Sequence, residues 1–155
     1  MNSVLNIRRG EITDLAEVMR IEKAAFTDPW SMESLFSELQ VDDMRVSLVA
    51  ETGTGLCGYL MAWRVVDQIH ILNIATDPQY LRRGVGTALL LKATAMAVEE
   101  GQIEVTLEVR ESNHGAREFY RRHRFTEIGV RPGYYQDNRE SAIIMTAFCA
   151  DLLAD

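Results

Sequence analysis

The stretch "DPQYLRRGVGTALL", residues 77–90, sets Arg82 and Arg83 directly before Gly84 and Gly86, at the head of an apolar run. Glycine suits a place where backbone must approach a ligand closely or adopt positive φ. The first N–H groups of a helix have no internal partner, and the aligned peptide dipoles add partial positive charge there. Such a terminus takes phosphate readily, and neighbouring arginines add cationic donors. A strand-to-helix turn that merely needs glycine is the competing reading. Spacing excludes two better-known phosphate loops. GxxxxGK[ST] requires a lysine that does not follow here, and GxGxxG requires a small residue where this chain has Leu89.

Two further side chains could do chemistry. Glu108, in "TLEVRE", interrupts an apolar strand; it shares one face with Glu104 and Thr106, while Val105, Leu107 and Val109 share the other. Ionisable residues are disfavoured among such neighbours, yet a solvated sheet edge would also produce the pattern. Tyr120 falls at helical spacing with Ala116, Phe119 and His123, which is where core aromatics usually sit. Cys57 and Cys149 form no CxxC pair, and His70, His114 and His123 lack ligand spacing, so neither a disulfide framework nor a metal site is expected. His70 and Asn73 read as ordinary strand side chains.

These residues need elements to hold them. "VLNIRRG" alternates as an opening strand. Leu15, Val18, Met19, Ile21, Glu22 and Ala25 follow helical spacing within 13–26, with Thr13 or Asp14 placed to cap the start. "TDPWS" ends that helix, and Ser31 can cap a second one reaching Leu39. "RVSLVAE" and "LCGYLMAWRVV" flank a Gly-rich turn as a hairpin, and "QIHILNIAT" is a third β-branched run. A helix is expected over 87–100, closed by Gly101. "IEVTLEV" then reads as a strand, Asn113 caps a helix over "HGAREFYRRH", and "TEIGVRP" and "AIIMTAF" are the last strands. The strand–helix–strand unit over 69–109 should be a parallel crossover.

The chain has 155 residues, 47% hydrophobic and 25% charged, which suits one globular domain with a sizeable core. A net charge of −7 argues against a general nucleic-acid binder and mildly favours a cationic substrate. The basic run "RRHR" at 121–124 reads as a solvated helix end. "MNSVLNIRRG" has no apolar signal core and no stretch approaches a membrane span, so a reducing, cytoplasmic setting is expected.

"LRRGVGTALL" resembles the pyrophosphate loop of the GNAT-type N-acetyltransferases, [QR]xxGx[GA] at a helix start, with Leu81 in place of the first Gln or Arg. "FTDPWS", "LNIATDPQYLRRGVG", "LEVRESNHGAREFYRRHRF" and "YYQDNRESAIIM" follow one another in the order of the ribosomal-protein-alanine acetyltransferases (RimI type), with Ser141 where that family usually has aspartate. The resemblance covers nearly the whole chain. It implies one acetyltransferase domain over 1–155, an α/β fold whose mixed, mostly antiparallel sheet carries a splayed parallel pair and is flanked by helices. It implies acetyl-CoA as co-substrate and no metal. Glu108 would be the general base and Tyr120 the general acid. Backbone of Ile74, Ala75 and Thr76, the loop Arg82, Arg83, Gly84, Val85, Gly86 and Thr87, and Asn113 would hold the coenzyme. The acceptor would be a protein or peptide N-terminus of a ribosomal protein, with alanine first. Trp30 and Tyr134, from the clusters Phe26–Trp30 and Tyr134–Tyr135, would contact it. The amine would attack directly in a ternary complex; a covalent route through cysteine is not expected. Acetylation of a small amine or lysine side chain, and a non-catalytic acyl-CoA sensor, are the alternatives.

Overall fold

Helical spacing and alternation resolve into five α-helices and seven strands among residues 4–154, which the computed structural model describes. Residues 1–3 and 155 of the expected domain, including the first three residues of the N-terminal stretch, lie outside the described residues. The strands are β1 (Asn6–Arg9), β2 (Arg45–Thr52), β3 (Gly55–Val65), β4 (Gln68–Thr76), β5 (Glu104–Arg110), β6 (Thr126–Arg131) and β7 (Ala142–Phe148). The helices are α1 (Leu15–Ala25), α2 (Met32–Glu38), α3 (Val85–Glu99), α4 (His114–Arg122) and α5 (Cys149–Leu153). The strands form one sheet in the order β1-β2-β3-β4-β5-β7-β6. Every neighbouring pair is antiparallel except β4 and β5, which are parallel and joined through α3.

Helices cover the sheet on both faces, and alternation decides which residue faces which. In β3, Leu60 and Ala62 join α3 residues Val85, Leu89, Leu90 and Ala93 in one core, while Tyr59 and Met61 join Val18, Ile21, Leu35 and Leu39 of the α1–α2 side in another. Burial on both sides explains why β3 reads as a continuous apolar run. α5, for which the sequence carried no expectation, buries Cys149 and Leu152 in the α3-side core.

Local caps follow residue chemistry. Ser31 Oγ accepts the Ser34 N–H at 3.1 Å at the start of α2, and Asn113 Oδ1 accepts the Ala116 N–H at 3.1 Å at the start of α4. The first helix departs from expectation. A 3-10 turn over Ile12–Asp14 precedes α1, and Asp14 points backward. Its carboxylate accepts the Glu11 N–H at 2.8 Å and takes both arms of Arg8, each at 2.9 Å. The guanidinium holds that carboxyl below its ordinary range. α3 also starts earlier than expected, at Val85, because Gly84 adopts the left-handed conformation (φ +79°) and supplies the N-cap.

Two irregularities shape the site. β3 and β4 shift register between Met61 and Ala62, which pair with Asn73 and Ile71, so Leu72 is the extra residue of a bulge. β4 and β5 pair only from Gln68–Glu104 to Ile71–Leu107. Beyond that point β4 runs on to Thr76 and β5 to Arg110 without pairing, and the two strands part.

Candidate active site

The splay opens into a cavity of about 1150 Å³. β4 lines it from Ile71 to Thr76 and β5 from Leu107 to Arg110. The loop ahead of α3, the inner face of α4 and the α1–α2 loop complete the wall.

One end is basic and rich in backbone donors. Gly84, Val85, Gly86 and Thr87 line it, with Arg82 from the loop and Arg122 and His123 from α4. Arg82 adopts φ +63°, a left-handed conformation costly for a side-chain-bearing residue. Arg83, expected beside it, lies outside the cavity wall, and its guanidinium stacks over Tyr80 at 5.3 Å from the ring centroid. The physical reason is the turn at Arg82, which sends consecutive side chains in different directions. Asn113 also lines the cavity, on the α4 side, while its carboxamide oxygen caps the helix.

The other end is acidic and aromatic. Glu22 and Asp28 line it with Phe26, Trp30 and Tyr135. Tyr134, favoured from sequence, is instead 48% exposed and outside the wall; its ring stands edge-on to Tyr135 at 5.1 Å. Adjacent residues in an extended loop point opposite ways, and the pairing of the Tyr135 N–H with the Glu140 carbonyl turns Tyr135 inward. Arg110 then fastens the region. Its guanidinium lies 3.9 Å from the Tyr135 ring centroid and binds Asp137 at 3.0 Å, Glu140 at 3.2 Å and Asp28 at 3.5 Å. Loop α1–α2 and loop β6–β7 are thereby tied to the end of β5.

Glu108 and Tyr120 meet the cavity between these ends. β5 is an interior strand, so Glu108 is no solvated edge residue; its side chain is 12% exposed. His70, which pairs with Thr106 two residues before Glu108, places Nε2 at 2.5 Å from Glu108 Oε2, and Arg131 Nε lies 3.3 Å from Oε1. The His70 hydrogen bond, against the opposing effect of burial, holds the carboxyl below its ordinary range, with Arg131 adding to it. Tyr120 is buried between Phe119 and Phe125 with edge-on contacts at 5.2 and 5.3 Å. Burial pushes its phenol well above the ordinary value, so it keeps its proton. The sequence could not separate core packing from chemistry at this position; in the structure the ring belongs to the core and also lines the cavity.

Two participants escape sequence reasoning. His70 looked ordinary because its partner lies 38 residues away. Glu22 is 1% exposed and accepts hydrogen bonds from the Tyr59 hydroxyl, from Asn73 Nδ2 at 2.8 Å and from the Trp30 N–H at 2.8 Å. Burial pushes its carboxyl up. A carboxylate at the core-facing spacing of α1 was the available signal. Both cysteines are buried and away from the cavity wall, with thiols raised by burial. Among the described residues no three His, Cys, Asp or Glu side chains converge as a metal site, and no helix is long and apolar enough to cross a membrane.

Residues 15–125 match the family model described as the Acetyltransferase (GNAT) family. The chain is 35% identical over 147 residues to the [ribosomal protein bS18]-alanine N-acetyltransferase of Escherichia coli strain K12, covering 94% of this chain and 96% of that protein. It is 32% identical over 155 residues to an N-alpha-acetyltransferase of Sulfurisphaera tokodaii, covering 91% of each. The fold superposes on the crystal structure of the ribosomal-protein-S18-alanine N-acetyltransferase from Escherichia coli with a TM-score of 0.85, 32% identity and 94% coverage of both chains.

Proposed function

Since this chain belongs to the GNAT acetyltransferase family, we propose that it is a cytoplasmic N-alpha-acetyltransferase whose acceptor is the N-terminal amine, alanine first, of a ribosomal protein. The domain spans 1–155. One observation carries the reading: a single cavity joins a basic, donor-rich end to an acidic end, with Glu108 and Tyr120 between them. A diphosphate suits the first end and a cationic N-terminus the second.

The residues fit an acyl-coenzyme A. The left-handed Gly84 exposes the first N–H groups of α3, Arg82 and Arg122 add positive charge, and β4 from 72 to 76 offers backbone with no β5 partner. Bound there, acetyl-CoA supplies the acyl group as a thioester. Backbone donors of Ile74, Ala75 and Thr76 are oriented in advance, as stabilisation of developing negative charge requires. Gly84 to Thr87 grip the diphosphate, and Asn113 contributes from α4.

On the acceptor side, an α-amino group has an ordinary pKa of about 7.7–8.0, so much of it arrives protonated. Glu108 is ionised and accepts that proton; His70 and Arg131 orient it. The free amine attacks directly, and Tyr120, protonated and buried, gives its proton to the departing sulfur. Trp30, with its N–H held by Glu22, and Tyr135 frame the peptide. Tyr134, on the exposed side of the same loop, contacts residues further along it.

A peptide panel tests the reading. Acetyl transfer to a peptide with a free N-terminal alanine, abolished when that amine is blocked, is the expected result. Transfer that survives blocking and maps to lysine overturns N-terminal specificity. Coenzyme binding without transfer to any amine overturns the enzymatic reading.

A further inference from the structure

Among the titratable side chains on the cavity wall, the mechanism above gives His123 no role. His123 closes α4, and its Nε2 lies 3.0 Å from Thr87 Oγ1 in the first turn of α3. Both line the basic end of the cavity. The imidazole stands edge-on to Phe119, centroids 4.8 Å apart, and its backbone N–H bonds the Phe119 and Tyr120 carbonyls at 3.3 and 3.0 Å. The ring is therefore held against Thr87 from two sides.

A threonine hydroxyl has one hydrogen, whereas the oxygens of a diphosphate only accept. If Thr87 donates to an unprotonated Nε2, its lone pairs are what remains for a phosphate. If Nε2 carries hydrogen and donates to Oγ1, the Thr87 hydrogen is free to point at a phosphate oxygen. In a neutral ring the tautomer decides which arrangement holds; a protonated ring can only donate, and the charges around it set how readily it takes that proton. On α4 the charge bearing on it is Arg122; on α3 the group facing it is the neutral Thr87; the loop ahead of α3 brings Arg82 to the same wall. Burial first, and Arg122 second, keep His123 below the ordinary imidazole value. An arriving diphosphate reverses that balance, and the C-terminal end of α4 also favours a cation.

We propose that His123 is a proton-coupled donor for the coenzyme: as the diphosphate docks, the imidazole takes one proton from solvent, donates from Nε2 to Thr87 Oγ1, and frees the Thr87 hydrogen for a phosphate oxygen. The proposal rests on the acetyl-CoA reading of this cavity. A group whose pKa rises on binding strengthens binding at low pH, and the gain is lost as pH rises through the bound-state value.

The test is calorimetric titration of acetyl-CoA into the whole protein from about pH 6 to about pH 8.5, in buffers of different ionisation enthalpy, a range that spans imidazole titration. The wild type is compared with His123→Gln, whose amide N–H donates without titrating, and with Thr87→Val, which keeps the ring and removes the relay. The coenzyme's own phosphate monoester titrates near pH ~6 in every case, so the differences between proteins are the readout. The wild type should take up more protons on binding than either variant. Its affinity advantage over His123→Gln should shrink on the order of three- to tenfold across the range, up to one pKa unit of coupling. Equal proton uptake and parallel affinity curves overturn this proposal and leave the coenzyme reading standing. Absence of binding by the wild type at every pH overturns both.

Discussion

Glu108 shows how surroundings fit a single residue for the general-base role proposed for it. Its carboxylate lies in an interior strand, and burial alone would push its pKa up. His70 at 2.5 Å and Arg131 at 3.3 Å reverse that and hold it ionised. A general base works only when deprotonated, so kcat/KM should fall as pH drops through the lowered Glu108 value. Replacing His70 by alanine removes the largest lowering influence, leaving burial against Arg131 alone. The acid limb of the kcat/KM profile should then move to higher pH, and loss of the orienting hydrogen bond should lower the neutral-pH rate about tenfold. A pH profile on an alanine-ended peptide checks it; an unmoved limb would assign that ionisation to another group. Tyr120 behaves in the opposite sense. With its phenol raised by burial, Tyr120→Phe should lower kcat about a hundredfold while acetyl-CoA affinity, read by calorimetry, stays within about twofold.

At the scale of elements, the proposed acceptor end depends on loops that have little reason to stay in place by themselves. Loop α1–α2 is held inside by Glu22, which takes the Trp30 N–H at 2.8 Å. Loop β6–β7 is held by Arg110 through Asp137, Glu140 and the face of Tyr135, and the same guanidinium reaches Asp28 on the first loop. Several of these carboxylates are exposed, so each ion pair adds little stability. Their joint effect is on geometry. Arg110→Ala should raise KM for the peptide about tenfold, because one unanchored wall costs on the order of 1.4 kcal/mol of binding. It should change acetyl-CoA affinity little, since Arg110 lies at the end remote from the glycine loop. Steady-state kinetics with both substrates varied separates the two.

For the molecule as a whole, the proposed coenzyme site depends on α3 lying tightly over β3 and β4, because that contact points the loop ahead of α3 at the splay. Gly58 on β3 permits it. A Cβ at this position would stand 2.7 Å from Val85 Cγ1 and 2.9 Å from the Ala75 carbonyl oxygen. The second contact is backbone and cannot rotate away. Gly58→Ala should therefore cost about 1–3 kcal/mol of stability, the usual range for an overpacked core. For a chain of this size that is roughly 2–4 °C of Tm per kcal/mol. It should also weaken acetyl-CoA binding, since α3 must lift at its N-terminus. Thermal unfolding with and without the coenzyme measures both effects.

Much of this was determined by the order of residues alone. Alternation marked the strands, helical spacing and the caps at Ser31 and Asn113 marked helices, and Gly84 and Gly86 marked a tight corner at the head of a helix, because all of these are contacts among near neighbours. Glu108 was visible as a charge in an apolar strand. Three things were decided only by the tertiary structure. His70 meets Glu108 because parallel pairing of β4 with β5 sets it opposite Thr106, two residues before Glu108, where the pairing ends. Tyr135 turns inward and Tyr134 outward because Arg110 and the Glu140 carbonyl fix the loop between them. His123 reaches Thr87 because α4 ends beside the start of α3. His70 and Glu108, Arg110 and Tyr135, and Thr87 and His123 are each tens of residues apart in the chain. No local pattern encodes such a distance; sheet order and helix packing set it.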